Sequence, residues 1–312
     1  MKVRTQISAK RVTPSGEETL RLVSDDFQIL DKSTEGLRSA NALSSIHADA
    51  CIYCPSTVQL SSEHVIPFAW GGKVQIHRGS CEECRRVTSQ FENYALNDGA
   101  MAHVRKALGY PSRSGHKSAQ QALGVSLKDQ DGQEIEVADD VTTPVILGLP
   151  LFVRPGLLVD DGRRTDLRME GIVGVAFGAD VENFLKEHSA SAAAQRESGK
   201  RVLALARTLA KIAYGWAWRD GVVEKLEGTD QLVNAFMSQP DQIGAYVGTK
   251  PPPYERYQGV QLRIEYKLSM PSQLVYMEVQ LFADAGAPVY EVVLGRIGSM
   301  REWRRLLSSL RT

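Results

Sequence analysis

Cys51-Ile52-Tyr53-Cys54 and Cys81-Glu82-Glu83-Cys84, with Ser62-Glu63-His64-Val65-Ile66-Pro67 and Gly71-Gly72 between them, decide how the first third of this chain folds. The two pairs hold all four cysteines of the 312 residues. Two thiol pairs of this short spacing, brought together by a turn, present four sulfurs in a tetrahedron, the arrangement structural Zn²⁺ prefers. The expected ligands are Cys51, Cys54, Cys81 and Cys84. Met1-Lys2-Val3-Arg4-Thr5-Gln6 lacks the apolar core of a signal peptide, and no run reaches the roughly 18 apolar residues of a membrane span. A cytoplasmic protein is predicted, with no membrane partner. In that reducing compartment paired cysteines serve as metal ligands rather than disulfides.

Working outward from the cysteines, residues 48 to 96 read as knuckle, strand, turn, strand and helix. Gly71-Gly72 supplies the turn, and Lys73-Val74-Gln75-Ile76-His77 alternates as a half-buried strand does. Ser80 with Glu83 three residues on has the form of a capping box, so a helix is predicted to start at the second cysteine pair and run through Phe91. Glu82 and Glu83 would lie at its positive end. A second helix is predicted from about Ala100 to Leu108, closed by Pro111-Ser112-Arg113-Ser114-Gly115. The polar tract after it reads as a domain boundary. Residues 1–45 read as an N-terminal extension with a turn at Pro14-Ser15-Gly16, 46–120 as the cysteine-containing domain, 121–143 as a linker, and 144–312 as a C-terminal α+β domain.

In that second half, residues 145 to 159 read as short strands interrupted by Pro150 and Pro155. From Arg196 to Arg219, Val202, Leu205, Leu209, Ile212 and Trp216 recur at helical spacing and mark a long core helix. Val260 to Leu268 alternates as a strand with one wet face, continued by residues 274–282 and 289–294 as an antiparallel meander. Met300 to Leu310 closes the chain as a short helix. Lys plus Arg equals Asp plus Glu, so the net charge is zero and a nucleic-acid surface has to be a local patch. The apolar fraction of 43% is that of a globular protein, not of a disordered one.

Taken in order, Cys51-x-x-Cys54, Glu63-His64-Val65-Ile66-Pro67, Gly71-Gly72, Cys81-x-x-Cys84 and Thr88-x-x-Phe91-Glu92 resemble the HNH endonucleases with a four-cysteine zinc knuckle. A looser likeness continues through Arg105, Leu108-Gly109-Tyr110 and Pro111-Ser112-Arg113. The resemblance implies an N-terminal zinc-bound ββα-metal domain and hydrolysis of DNA phosphodiester bonds. It implies His64 as the general base that activates water, and Glu63 as a ligand for a catalytic Mg²⁺ or Mn²⁺. Many HNH enzymes carry Asn or His directly after the last cysteine to complete that cation site. This chain has Arg85, which cannot ligate a cation. Glu92, on the same helical face but roughly 10 Å along it, is the substitute considered.

Arg85, Arg86, Arg105, Lys106, Arg113 and Lys117 outnumber Glu92 and Asp98 over this stretch six to two, a local surplus suited to phosphate contact. His77 is a further candidate for phosphate contact. Trp70 beside the glycines reads either as a residue that stacks on a base or sugar or as a rim or core aromatic. Lys200, Arg207 and Lys211 read as a solvent-facing stripe of the long helix, and the second half shows no catalytic cluster. The expected partner is double-stranded DNA, with a homodimer through the C-terminal domain. The alternative is a zinc-knuckle protein that binds nucleic acid or regulates, having lost catalysis.

Overall fold

The computed structural model describes residues 46–96, 145–177 and 199–309 apart from Gly259 and Pro271. It also describes the strands at 2–13, 16–28, 125–128, 134–135 and 192–195, and a few residues between these segments. The architecture is mixed α+β. An N-terminal antiparallel hairpin pairs β1 (Lys2–Thr13) with β2 (Gly16–Gln28), closing at Thr13 and Gly16 where the sequence places its turn. Next come β3 (Ile46–His47), β4 (Leu60–His64), β5 (Gln75–Cys81) and helix α1 (Glu82–Leu96). Strand β5 is central in this sheet, parallel to β3 and antiparallel to β4. The expected strand, turn, strand and helix are therefore present in that order.

One local expectation changes. The helix begins at Glu82, within the second cysteine pair as expected, but the Ser80 hydroxyl donates to the Cys81 carbonyl instead of capping it. The strand persists through Cys81 because Ser80 and Cys81 are both buried there, so no capping box forms. The turn works as expected: Gly71 has φ 76°, and a Cβ on Gly72 would lie 2.1 Å from the Ile66 carbonyl oxygen.

Strands β6 (Val125–Lys128) and β7 (Glu134–Ile135) lie inside the stretch read as a linker. They join β10 (Ala192–Gln195) in a three-stranded sheet of order β10-β6-β7. Their polar setting hides two short alternating runs. Strand β8 (Val145–Phe152) is continuous through Pro150 and pairs with β9 (Met169–Phe177). In a two-stranded ladder each strand is an edge, where a missing N–H is tolerated.

The long helix α2 spans Gly199–Arg219, close to its predicted limits, and α3 spans Thr229–Met237. A four-stranded antiparallel sheet of order β11-β14-β13-β12 follows, from β11 (Val247–Thr249), β12 (Leu262–Ser269), β13 (Leu274–Leu281) and β14 (Val289–Arg296). Helix α4 (Met300–Ser309) ends the described chain. The meander is as expected, but β12 is half-buried on both faces rather than wet on one. Its polar face carries Glu265 in register with Glu278 and Glu291 on the next strands. Residues 250–257 supply cover: Lys250 pairs with Glu278 at 2.9 Å, and the Arg263 guanidinium lies 4.6 Å from the Tyr257 ring centroid. Arg154 grips Glu291 with two bonds of 2.8 Å.

One apolar core runs from Ala48 to Leu306, with α2 at its centre. Ala204, Thr208, Lys211 and Gly215 lie on one face of α2 at helical spacing. These are short side chains apart from the lysine, so the helix can approach the cysteine module closely. A Cβ on Gly215 would lie 3.5 Å from a Val65 methyl, and the Tyr214 hydroxyl donates to the Ile52 carbonyl at 2.7 Å. Among the described residues, no helix is long and apolar enough to cross a membrane.

Candidate zinc centre and the adjoining Glu63–His64 site

The knuckle before β4 and the β5–α1 junction bring the four cysteines together, and all are free thiols. Their sulfurs lie within 4.8 Å of one another, with Cys54 Sγ 3.7 Å from Cys81 Sγ and 3.6 Å from Cys84 Sγ. A tetrahedron of Zn–S bonds near 2.3 Å has edges of about 3.8 Å, so these residues fit Zn²⁺. Burial pushes the Cys51 and Cys84 thiols up. Cys81 is lowered: desolvation acts upward, but the Cys84 N–H and the neighbouring thiols offset it.

Beyond the cysteines, the β4–β5 register places Glu63 opposite Ile76 and His64 opposite Gln75, with a bulge between Ser61 and Glu63. Glu63 is turned inward, 5% exposed, and His64 is half-buried on the other face. The His64 ring centroid is 5.6 Å from that of Phe68, its Nε2 is 3.3 Å from Gln75 Nε2, and its Nδ1 is shielded from solvent. His77, in register with His47, faces outward with its Nδ1 3.1 Å from the Ser62 hydroxyl. The outer face of this small sheet thus displays His47, Ser62, His64, Gln75 and His77.

The partner of Glu63 comes from the other half of the chain. Lys211 of α2, 1% exposed, places its Nζ 2.5 Å from Glu63 Oε1, 2.6 Å from Glu92 Oε1 and 2.5 Å from the His64 carbonyl oxygen. Three ammonium protons meet three oxygens. Burial acts against the charge on Lys211, but Glu63 and Glu92 outweigh it and raise its pKa. Glu92, expected about two helical turns beyond Arg85, shares this ammonium because its side chain and that of Glu63 both turn toward α2. A divalent cation does not fit beside Glu63 in this arrangement: the oxygens that would bind it already surround a fixed positive charge. Lys211 is the residue missed by sequence reading, and the solvent-facing stripe is corrected with it. Lys200 alone of the three is exposed, while Arg207 donates to the Phe236 carbonyl at 2.6 Å and lies over Phe91. A lysine among Ala204, Thr208 and Gly215 on a close-packing face is the signal that marks it.

The basic residues divide. Arg86 is exposed, and Arg85 is exposed and paired with Glu82 at 2.5 Å, a surface pair that a phosphate can replace. Arg105 is corrected: it is 7% exposed and donates to the Leu96 carbonyl at the end of α1, which removes it from any phosphate surface. Arg113, Lys106 and Lys117 lie outside the described residues. Trp70 is 5% exposed and belongs to the core, so it is not a stacking platform.

Tyr53 packs against Tyr214 and Phe236, with ring centroids 5.9 and 5.7 Å away. Burial, with the charges of Glu63 and Glu92, raises its pKa well above the usual phenol range. Its hydroxyl is buried without a hydrogen-bond partner among the described residues. Tyr53→Phe is therefore expected to leave stability unchanged or raise it by about 1 kcal/mol, read by urea denaturation.

No family model matches this chain, and neither does any curated protein or solved structure. What the molecule defines is a four-cysteine group able to hold zinc, set in a strand–strand–helix module that packs on α2 and is tied to it by a buried lysine.

Proposed function

We propose that this chain is a zinc-stabilised nuclease of the ββα type that hydrolyses DNA phosphodiester bonds, with His64 taking the proton from the attacking water. The observation that carries the reading is the outward placement of His64 on a hairpin whose ends are fixed by the four-cysteine group. The zinc ion would supply rigidity, and no step passes through it. An imidazole is the side chain best suited to take a proton from water at neutral pH, which is the role of a general base. His47 and His77 on the same face, with Arg85 and Arg86 on the adjoining helix, are suited to phosphate oxygens. Glu63 acts here through Lys211, which holds the His64 carbonyl and so fixes the backbone that carries the imidazole. No step is assigned to a divalent cation at Glu63.

A second reading follows from that same lysine: a module that binds nucleic acid without cutting it, its carboxylates neutralised. The two separate in a plasmid-nicking assay with zinc-loaded wild type and His64→Ala, each with and without added Mn²⁺. The nuclease reading expects nicking by wild type and a loss of about 100- to 10,000-fold in His64→Ala with DNA binding retained. Equal binding by both proteins with no nicking by either rejects it in favour of the binding module.

A further inference from the structure

The oxygens of Glu63, Glu92 and the His64 carbonyl form a small hole at the junction of β4, α1 and α2. Two carboxylates and a carbonyl are the ligands that hard divalent cations prefer. We propose that the Lys211 ammonium is the resident cation of this hole, excluding Mg²⁺ and Mn²⁺ from Glu63, and that removing it turns the hole into a divalent-cation site.

Three observations support this. The Nζ contacts of 2.5–2.6 Å are those of a charge-assisted donor set, one proton to each oxygen. Lys211 is 1% exposed in the middle of α2, so the side chain has no path to solvent that would vacate the hole while the helix stays packed. That packing is close, with Gly215 against Val65 and Tyr214 bonded to Ile52 on the following turn. With two carboxylates and one ammonium the hole carries a net charge of −1, and exchange of the ammonium for a divalent ion would leave it neutral. The driving force for cation binding is thus present once the lysine side chain is gone.

The inference is independent of whether the module cuts DNA, and its test reads binding and stability. Zinc-loaded wild type, Glu63→Gln, Lys211→Ala and Lys211→Ala/Glu63→Gln are titrated with Mn²⁺ under electron paramagnetic resonance and melted with and without it. The expected result is no Mn²⁺ site in wild type that Glu63→Gln abolishes. Lys211→Ala is expected to bind one Mn²⁺ at least about tenfold more tightly than wild type and to melt higher in its presence. The double variant should lose both effects. A wild-type Mn²⁺ site lost in Glu63→Gln overturns the proposal, as does a folded Lys211→Ala that neither binds Mn²⁺ nor is stabilised by it. Should Lys211→Ala not fold, the comparison of wild type with Glu63→Gln decides alone.

Discussion

Lys211→Met is expected to cost about 3–5 kcal/mol of folding stability, an effect far beyond that of a surface lysine. Methionine keeps most of the volume but removes the charge, leaving two carboxylates of the interior facing each other, Glu63 at 6% and Glu92 at 19% side-chain exposure. The cost is that of uncompensated buried charge, so it should be reversible in kind. Lys211→Met/Glu63→Gln/Glu92→Gln should regain most of the loss, because two amides and a methionine need no counter-ion. The pH dependence follows from the direction of the shift. Lys211 is raised in the folded state above its unfolded value of about 10.4, so its contribution is fully present below that pH and is lost only as pH climbs through the higher folded value. The lysine's share should therefore be flat from about pH 6 to about pH 10. Guanidinium denaturation of the three proteins checks this. A Lys211→Met variant within about 1 kcal/mol of wild type would show that the ammonium is not holding the two halves together.

Cys54→Ser, or chelation of the metal, is expected to remove zinc and unfold the cysteine module outright. In small knuckles the metal's apparent binding free energy, about 10–16 kcal/mol, is folding free energy. The damage should not stop at residue 96. Ile52 receives the Tyr214 hydroxyl, the His64 carbonyl receives Lys211, and Val65 packs on Gly215, so three supports of α2 lie on the module that bound zinc would organise. Amides of α2 should lose hydrogen-exchange protection together with those of β4 and β5. Unchanged zinc content by elemental analysis, or α2 protection unaffected by metal loss, would contradict this coupling.

The parts of the molecule legible in the sequence were those governed by short-range pattern. Cysteine spacing identified the four-sulfur group able to hold zinc, glycines marked the turn, and alternation of apolar residues found β5 and the meander. Helical periodicity placed α2 within three residues of its start. Contacts between distant segments were not legible. Lys211 and Glu63 are 148 residues apart, and no local pattern says which face of α2 meets β4. Composition misled for the same reason: Arg105 is basic but buried against Leu96, and Lys211 is charged but only 1% exposed. The outward direction of His64 and His77 follows from strand alternation once the β4–β5 register is known, and the bulge at Ser61–Glu63 that sets it has no sequence signature.

The central claim, that an ammonium from the C-terminal half fills the oxygen hole at Glu63, is tested most directly by anomalous scattering from crystals grown with zinc and soaked in Mn²⁺. A zinc peak is expected among Cys51, Cys54, Cys81 and Cys84, with continuous Lys211 density ending between Glu63 and Glu92 and no manganese peak there. A manganese peak bonded to a Glu63 oxygen, with Lys211 displaced, would contradict it.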